Sequence, residues 1–229
     1  MVVSTRRHNS SGVIWIDDEL VERVDSMKYL GVIVDANLNF NEHINYTIRK
    51  AAQEFGVLCR ISRYLTTEAK VTVYKSLIAP HFDYCASILF LATRRQLKRM
   101  QVLQSKVMRM ILRCDRLTPR LNMLNCLQWM SVRQRIEYNT LVFVFRITKG
   151  MVPHYLTNTV VYGRDLHQYN TRQAGNIRLL KCKKACTQNS LFHKRYTLYN
   201  ELPIAAKTTN NINEFKNMCK EFVKQRALE

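Results

Sequence analysis

Acidic residues, glycine, proline and long apolar runs are all scarce in this sequence. It contains 17 Asp and Glu against 36 Lys and Arg, which gives a formal net charge of +19 at pH 7. Only 6 glycines and 4 prolines occur in 229 residues, which argues against a disordered or collagen-like chain. The longest apolar stretch, residues 86–92, is far shorter than the roughly 18 residues that suggest a membrane-spanning helix. Because residues 1–11 also lack the apolar segment of a secretory signal, we expect a soluble intracellular protein, nuclear or cytoplasmic, that is not secreted.

The signatures of common catalytic and metal sites are also missing. Seven cysteines, an odd number without paired spacing, are typical of reduced core residues in an intracellular protein. Cys182, Cys186 and His193 offer three ligands where a structural zinc site needs four, so we expect no metal. Asp17 and Asp18 could hold a divalent cation, but we interpret this pair as a hairpin turn, where polar residues are typical. No nucleophile motif or glycine-rich phosphate loop occurs, and we predict no catalytic residue in this chain.

The sequence does have basic charge, and this charge is concentrated in one part of the chain. Residues 51–229 carry 30 Lys and Arg against 10 Asp and Glu, whereas residues 1–50 carry 6 against 7. On a helical wheel the cations of 94–114 lie opposite an apolar arc. Such a face is often only solvated, but the lack of acidic neighbours favours contact with nucleic-acid phosphates. The predicted phosphate-binding residues are Arg94, Arg95, Lys98, Arg99, Lys106, Arg109 and Arg113.

The chain changes from strand periodicity to helix periodicity near residue 40. Segments 1–4, 12–16, 20–24 and 29–34 have strand character and predict a hairpin followed by a third strand. After them, apolar residues recur at helical spacing, and Pro80 should end or kink the second helix. The predicted fold is α+β and predominantly α-helical, with a short antiparallel β-element at the N-terminus followed by a helical bundle and further helices.

Three predicted helices begin with capping residues. Thr93, Ser131 and Asn211 are each followed three residues later by Gln or Glu, a spacing typical of helix N-termini. Gly150 should close the helix that begins at Ser131. Residues 157–190 are polar with weak periodicity, and we expect an irregular basic region there.

Two features of the second half have no assigned role. The sequence leaves open what the basic stretch 172–195 contacts. Tyr162, Tyr169 and Tyr196 could stack on bases or serve as core and loop anchors, and both interpretations stay open.

An ordered series of motifs along the chain carries a family resemblance. The series begins with K-Y-L-G-V at residues 28–32, and later blocks keep their order and spacing. These blocks are residues 34–44, 64–65, 74–78, 80–85, 97–104, 133–138, 149–150, 199–203 and 215–216. The series resembles the segment that follows the catalytic palm in reverse transcriptases of LINE-type, jockey-like non-LTR retrotransposons. The sequence departs from the family at Leu89 and Tyr199, where the family often has Trp.

The resemblance implies a domain organisation. Residues 1–40 would be the end of the palm, and residues 41–120 would be a helical, thumb-like domain that grips a template–primer duplex. Residues 121–229 would be a helical, basic C-terminal region. The hairpin at the end of the palm would hold the primer, as in the family. Its primer-grip-like residues in this sequence would be Lys28, Tyr29, Leu30 and Gly31.

By the same resemblance, catalysis would not belong to this chain alone. The family's catalytic aspartates lie upstream of the matched segment, so the divalent metal they bind, Mg²⁺ by expectation, would belong to a missing palm. This chain itself would hold no cofactor. Its partners would be nucleic acid, as RNA template, DNA primer or duplex, and the upstream palm and fingers of the parent polymerase.

The sequence therefore favours a nucleic-acid-gripping C-terminal fragment of a retrotransposon RNA-directed DNA polymerase that lacks the catalytic aspartates. Such a fragment would expose the palm-facing apolar side chains Val2, Ile14 and Val32. Two alternatives remain. One is an exapted nucleic-acid-binding protein without polymerase activity. The other is a protein-interaction module whose helices at 131–149 and 212–226 pack on a partner.

Overall fold

The protein is mainly helical, and the strands of its described residues lie before residue 36. The computed structural model describes residues 13–22, 24–165, 175–179 and 190–226. The predicted α+β fold, with helices in the majority, is confirmed. Within these ranges no helix combines the length and the hydropathy needed to cross a membrane.

Asp17 and Asp18 form the turn of the first hairpin. Strand β1 (Trp15–Ile16) pairs antiparallel with β2 (Glu19–Leu20). Between them Asp17 and Asp18 have φ values of 47° and 65°. Two consecutive positive φ values are those of a type I′ turn, whose twist matches that of the paired strands. The interpretation of this pair as a turn is confirmed.

The second hairpin differs from the prediction. Strand β3 (Ser26–Tyr29) pairs antiparallel with β4 (Val32–Asp35). Leu30 and Gly31 form the turn between them, with φ values of 46° and 83°. The single strand predicted over 29–34 is therefore wrong, because the apolar pattern runs through a turn that reverses the chain. The hairpin implied by the resemblance is present.

The remaining described residues contain eleven α-helices. The second helix ends at Val73, before Pro80, and a π-helical turn, Tyr74–Ile78, follows it. Pro80 is the first residue of the third helix, so the prediction that it ends the second helix is wrong, and a kink at Pro80 stays a prediction. The helices are α1 (Asn41–Ile61), α2 (Thr67–Val73), α3 (Pro80–Asp83), α4 (Ala86–Leu89), α5 (Arg94–Leu112), α6 (Arg120–Leu127), α7 (Val132–Thr148), α8 (His154–Thr157), α9 (Leu191–Asn200), α10 (Ile204–Thr208) and α11 (Ile212–Arg226).

The predicted helix starts are confirmed by their hydrogen bonds. The Thr93 hydroxyl accepts the Gln96 backbone N–H at 3.3 Å, and the Gln96 side chain accepts the Thr93 backbone N–H at 2.8 Å. The same reciprocal pair opens α7 at Ser131. At the start of α11, Asn211 Oδ1 accepts the N–H of Asn213 at 2.9 Å. Each bond satisfies a backbone donor that the helix itself leaves unpaired.

One hydrophobic core lies among α1, the π-helical turn, α3, α5 and the first half of α7. The ring of Tyr74 stacks on Trp129 with 4.2 Å between centroids, and its hydroxyl accepts from Gln104 Nε2 at 3.3 Å. Each large apolar side chain buried here stabilises the fold by about 1.5–3 kcal/mol. Fully buried members include Ile44, Leu58, Phe82, Met100 and Val107.

A second core lies among the later half of α7, α9, α10 and α11, where Phe145 stacks on Phe215 at 4.0 Å between centroids. Helix α7 serves both cores, since Ile136 belongs to the first and Phe145 to the second. In the first turn of α7, Arg135 makes two hydrogen bonds with the Asp83 carboxylate of α3, at 2.5 and 2.6 Å. The predicted boundary at residue 120 stays a prediction, because one helix supplies side chains to both cores.

Several predictions about single residues need correction. Cys219 is buried, and burial raises the pKa of its thiol to about 12. Cys59 and Cys126 are exposed, so the prediction of core cysteines is wrong for these two, which lie on outer faces of α1 and α6. Val32 is buried because β4 packs against α1, whereas Ile14 is exposed as predicted. Val2, Cys182 and Cys186 lie outside the described residues.

Candidate nucleic-acid interface

The cations of α5 point in more than one direction. The helix contains no acidic residue, and its predicted phosphate-binding side chains are exposed except Arg109, which is half-buried. At 100° per residue, Arg94 and Lys98 lie toward one side of the basic face and Arg99 and Lys106 toward the other. The structure therefore divides the predicted site between two surfaces.

The first surface follows the start of α1, and we name it the ridge. Its central residues are Asn45, Tyr46, Arg49 and Lys50 of α1, with Lys28 of β3 and Arg99 of α5 beside them. Arg99 Nη1 donates to Asn45 Oδ1 at 3.0 Å. Lys28 Nζ donates to the Tyr46 hydroxyl at 3.4 Å and lies 5.2 Å from the centre of its ring. Two residues predicted separately, Lys28 and Arg99, thus contact consecutive residues of one helix.

Two further cations extend the ridge. Lys50 Nζ lies 5.9 Å from the centre of the Tyr46 ring. Arg49 follows Asn45 by one helical turn, on the same face, and it is exposed without a partner among the described residues. Burial lowers the pKa of His81, the Glu54 carboxylate raises it, and Lys50 lowers it. The Lys50 end of the ridge therefore lies near a carboxylate. Acidic residues thus lie near both ends of the ridge, with Glu54 near Lys50 and with Asp25, Asp35 and Glu42 around the start of α1.

The second hairpin is attached to the helices at its turn and at β4. The Tyr84 hydroxyl donates to the Leu30 carbonyl oxygen, and a Cβ at Gly31 would lie 3.5 Å from the Tyr84 ring. The Ile33 N–H donates to His43 Nδ1 at 3.4 Å. Burial of His43 lowers its pKa, and its Nε2 has no partner in the described part of the chain. The primer-grip-like residues therefore have a defined position relative to the ridge, with the side chains of Tyr29 and Leu30 exposed.

The second surface is an open cleft of about 1000 Å³ between α5, α6, α7 and α11, and we name it the basic cleft. Gln101 Oε1 of α5 accepts the N–H of Val132, the first residue of α7, at 3.0 Å. Gln134 Nε2 of α7 donates to the Val223 carbonyl of α11 at 3.2 Å. These two amides join three of the helices that line the cleft. Its cationic residues are Arg94, Lys98, Arg120, Arg133 and Arg226.

The carboxylates at the cleft are already paired. Glu137, whose side chain is 5% exposed, bonds Arg133 Nε at 2.8 Å, while the Arg133 side chain is 69% exposed. Arg226 Nη1 pairs with Glu201. A buried carboxylate with one ionic partner stabilises that partner's position. Because arginine has five N–H donors, Arg133 keeps donors that can bind an anion in the cleft.

The four remaining predicted cations lie on neither surface. The pKa of the Cys59 thiol of α1 is raised by burial and lowered by Lys106, which lies near it. Arg109 Nε is buried and has no hydrogen-bond partner among the described residues. Arg113 follows the last residue of α5 with a φ of 52°. Arg95 is exposed at the start of the helix.

Comparison with curated proteins gives relatives of one kind. The chain is 33% identical over 119 residues to a probable RNA-directed DNA polymerase from transposon X-element of Drosophila melanogaster. The matched segment is 50% of this chain and 13% of the relative. It is 32% identical over 101 residues to an RNA-directed DNA polymerase from mobile element jockey of Drosophila funebris, covering 43% and 11%. The resemblance to jockey-like polymerases is confirmed.

A third relative is a protein of the same kind. The probable polymerase from transposon BS of Drosophila melanogaster is 31% identical over 104 residues, 44% of this chain and 12% of that relative. The chain thus spans about an eighth of the length of the jockey-like polymerases it matches. No protein-family profile matches the chain, and no solved structure matches it.

Reasoning on the sequence missed five cations of the two surfaces. Arg49 and Lys50 lie on the polar side of α1, whose apolar stripe alone was used to predict the helix. Arg120, Arg133 and Arg226 reach the cleft from three different helices, and a wheel drawn for one helix cannot bring them together. One signal was present for Arg133, since it begins a block of the jockey-like resemblance.

The proposed stacking residues and metal ligands have varied outcomes. Tyr196 is buried, and its hydroxyl bonds Thr159 at 2.8 Å and Arg195 at 2.9 Å, so it anchors the second core. Tyr162 forms a backbone bridge with Ile177, and Tyr169 lies outside the described residues. In the described ranges no group of three His, Cys, Asp or Glu is arranged to hold a metal ion.

Proposed function

We propose that this chain supplies the nucleic-acid grip of a retrotransposon RNA-directed DNA polymerase, and that it binds the template–primer duplex without catalysing synthesis. The ridge would hold the phosphates of the duplex, and the β3–β4 turn beside it would contact the primer. Catalysis, with its aspartates and divalent metal, would belong to an upstream palm. The similarity to jockey-like polymerases supports the assignment of class.

One observation carries the proposal: Lys28 of the second hairpin and Arg99 of α5 meet on consecutive residues of α1. The hairpin and the basic helix are far apart in sequence, and both were predicted from the sequence to contact nucleic acid. With Arg49 and Lys50, the ridge has four cations within two turns of α1. Cations spaced along a surface neutralise successive phosphates and contact them without regard to base sequence.

The first hairpin supports a second partner, the upstream part of the polymerase. Its apolar residues are exposed, with Trp15 62% and Ile16 61% accessible. Exposed apolar side chains grouped on one short hairpin are typical of a surface that contacts a partner. We assign it to contact with a palm, because the jockey-like family has that domain on the N-terminal side of the matched segment.

The test is a salt titration of duplex binding. Native protein and the variant Lys28→Gln/Arg99→Gln are titrated with a blunt DNA duplex by fluorescence anisotropy. For the native chain log K should fall linearly with log salt. Removing two phosphate contacts should make this slope shallower by about 1.8, a loss of roughly 60-fold at about 0.1 M salt.

A matched control separates this site from general charge. Lys220 of α11 and Arg146 of α7 are exposed, lack partners among the described residues and lie on neither surface. Lys220→Gln/Arg146→Gln therefore removes the same charge elsewhere and should bind like the native chain. A salt-independent native titration, or equal losses in both variants, would overturn the proposal and favour the protein-interaction alternative.

A further inference from the structure

We propose that the basic cleft is a second nucleic-acid site, which binds a single strand by its phosphates next to the duplex on the ridge. This inference rests on the proposed function and gives the α6, α7 and α11 region a role. The ligand is one strand of DNA or RNA, bound without preference for sequence.

The cleft is built before any ligand arrives. Gln101 joins α5 to the first turn of α7, and Gln134 joins α7 to α11. These bonds also use polar groups at the start of α7: the Val132 N–H is taken by Gln101, and the Ser131 N–H by Gln134 Oε1 at 2.8 Å. Anion binding must therefore come from the cationic side chains. A preformed site binds more tightly because less freedom is lost on binding.

The charge of the cleft is strongly one-sided. Arg94, Lys98 and Arg120 have no hydrogen-bond or ionic partner among the described residues. Arg133 and Arg226 are held by one carboxylate each, which positions their remaining donors at the cleft. Unpaired cations that line a concave surface focus positive potential and attract polyanions more strongly than the same cations on a flat surface.

The shape of the cleft selects a single strand. A volume of about 1000 Å³ is at the upper end of the roughly 300–1,000 Å³ found for small-ligand pockets. A double helix, whose major groove alone is about 12 Å wide, does not fit inside such a space. The cleft is open to solvent, so a strand can enter and leave at its edges. None of the described residues that line it is aromatic, which favours phosphate contacts over base stacking.

Continuity with the ridge points to nucleic acid as the occupant. Lys98 lines the cleft, and the next residue, Arg99, belongs to the ridge. A strand that leaves a duplex end on the ridge can therefore pass directly over α5 into the cleft. An acidic peptide would satisfy the same cations but has no reason to continue onto the ridge.

The test compares probes and variants. Lys98→Gln/Arg120→Gln removes two exposed, unpaired cations from the cleft and should not affect folding, which thermal unfolding checks. At about 0.1 M salt its affinity for an oligo-deoxythymidine strand should fall roughly 25-fold, with a salt slope shallower by about 1.4. Its affinity for the blunt duplex should remain native. A duplex with a single-stranded overhang should bind the native chain more tightly than the blunt duplex, and this gain should vanish in the variant.

The outcomes distinguish the two proposals. The ridge variant Lys28→Gln/Arg99→Gln should lose duplex binding and keep single-strand binding. Native single-strand affinity in the cleft variant, or equal losses for strand and duplex, would overturn the cleft proposal and leave the ridge intact. A native chain that binds neither probe would overturn both. Displacement of the strand by poly-glutamate at lower concentration than by oligo-deoxythymidine would assign the cleft to an acidic protein segment instead. The Lys220→Gln/Arg146→Gln control should match the native chain throughout.

Discussion

The two hairpins at the start of the described chain share antiparallel pairing and differ in their attachment. In the first, the strand residues are exposed and the hydrogen bonds stay within the hairpin, as between the Val21 N–H and the Ile14 carbonyl at 2.9 Å. In the second, Val32 is buried, the Ile33 N–H reaches His43, and Tyr84 bonds the turn. An isolated hairpin is only marginally stable in water, so contacts with the helices fix the position of the second hairpin.

The difference separates two functions that a short β-element can have. The second hairpin carries the residues predicted to be primer-grip-like and packs against α1. The first hairpin has an apolar surface without a cover in the described residues, as expected of a segment completed by another part of a larger protein. Changes to the attachments of the second hairpin should therefore affect stability, whereas comparable changes to the first should not.

The largest expected effect is at Asp35, which ends β4. Its carboxylate accepts three backbone N–H groups, from Asn37 at 3.1 Å, Asn39 at 3.2 Å and Phe40 at 2.7 Å. These bonds organise the loop that leads from the hairpin into α1. Asp35→Ala leaves all three donors without this acceptor and should lower the free energy of unfolding by about 2–3 kcal/mol, measured by chemical denaturation.

The matched change in the first hairpin is Asp18→Asn. Asparagine keeps the preference for positive φ that this turn requires, and Asp18 is exposed. Its free energy of unfolding should stay within about 0.5 kcal/mol of native. Equal destabilisation by the two changes would contradict the comparison.

A smaller effect is expected at the turn of the second hairpin. Gly31 has a φ of 83°, and an added Cβ would meet the Tyr84 ring at 3.5–3.8 Å, an ordinary contact distance. Gly31→Ala should therefore cost about 1 kcal/mol from backbone conformation alone. The control is Gly56→Ala within α1, where a Cβ meets nothing within 4 Å, and there alanine should stabilise the helix by about 0.5–1 kcal/mol. Changes of the same sign at both positions in denaturant titrations would disprove this account.

The turn at Leu30 also shows where sequence reasoning reached its limit. Helix starts such as Thr93 and Ser131 could be predicted because the capping residues lie three positions from their partners and act locally. A leucine at a φ of 46° is unfavourable by itself. It is held by Tyr84, more than fifty residues later, through a contact that no local pattern contains. Only the family resemblance implied a hairpin at this place.

The same distinction applies to the candidate sites. The basic face of α5 could be predicted because helical spacing alone orders its side chains. The contact of Lys28 with Tyr46, and the presence of Arg120 and Arg226 at one cleft, depend on how the second hairpin and the helices pack. Packing is decided by buried side chains such as Tyr74 and Phe145. Helical periodicity predicts that they are buried, but it does not predict which residues they contact.

The smallest and most local effect concerns pH. Burial lowers the pKa of His43 from its ordinary value of 6.5, so the unfolded chain binds a proton more readily than the folded chain. Stability should therefore rise with pH between the lowered folded value and 6.5, and fall as pH decreases through that window. Protonated His43 cannot accept the Ile33 N–H, so the hairpin loses one attachment.

A local measurement is needed, because burial lowers the pKa of His81 too, and both groups affect global stability in the same direction. Hydrogen exchange read at single amides gives this resolution. The protection factor of the Ile33 amide should fall below pH 6.5, while that of Val21 in the first hairpin should not change with His43. In His43→Gln, which cannot titrate, Ile33 protection should lose this pH dependence, and in His81→Gln it should keep it. If Ile33 and Val21 changed together in the native chain, the second hairpin would not owe its position to His43.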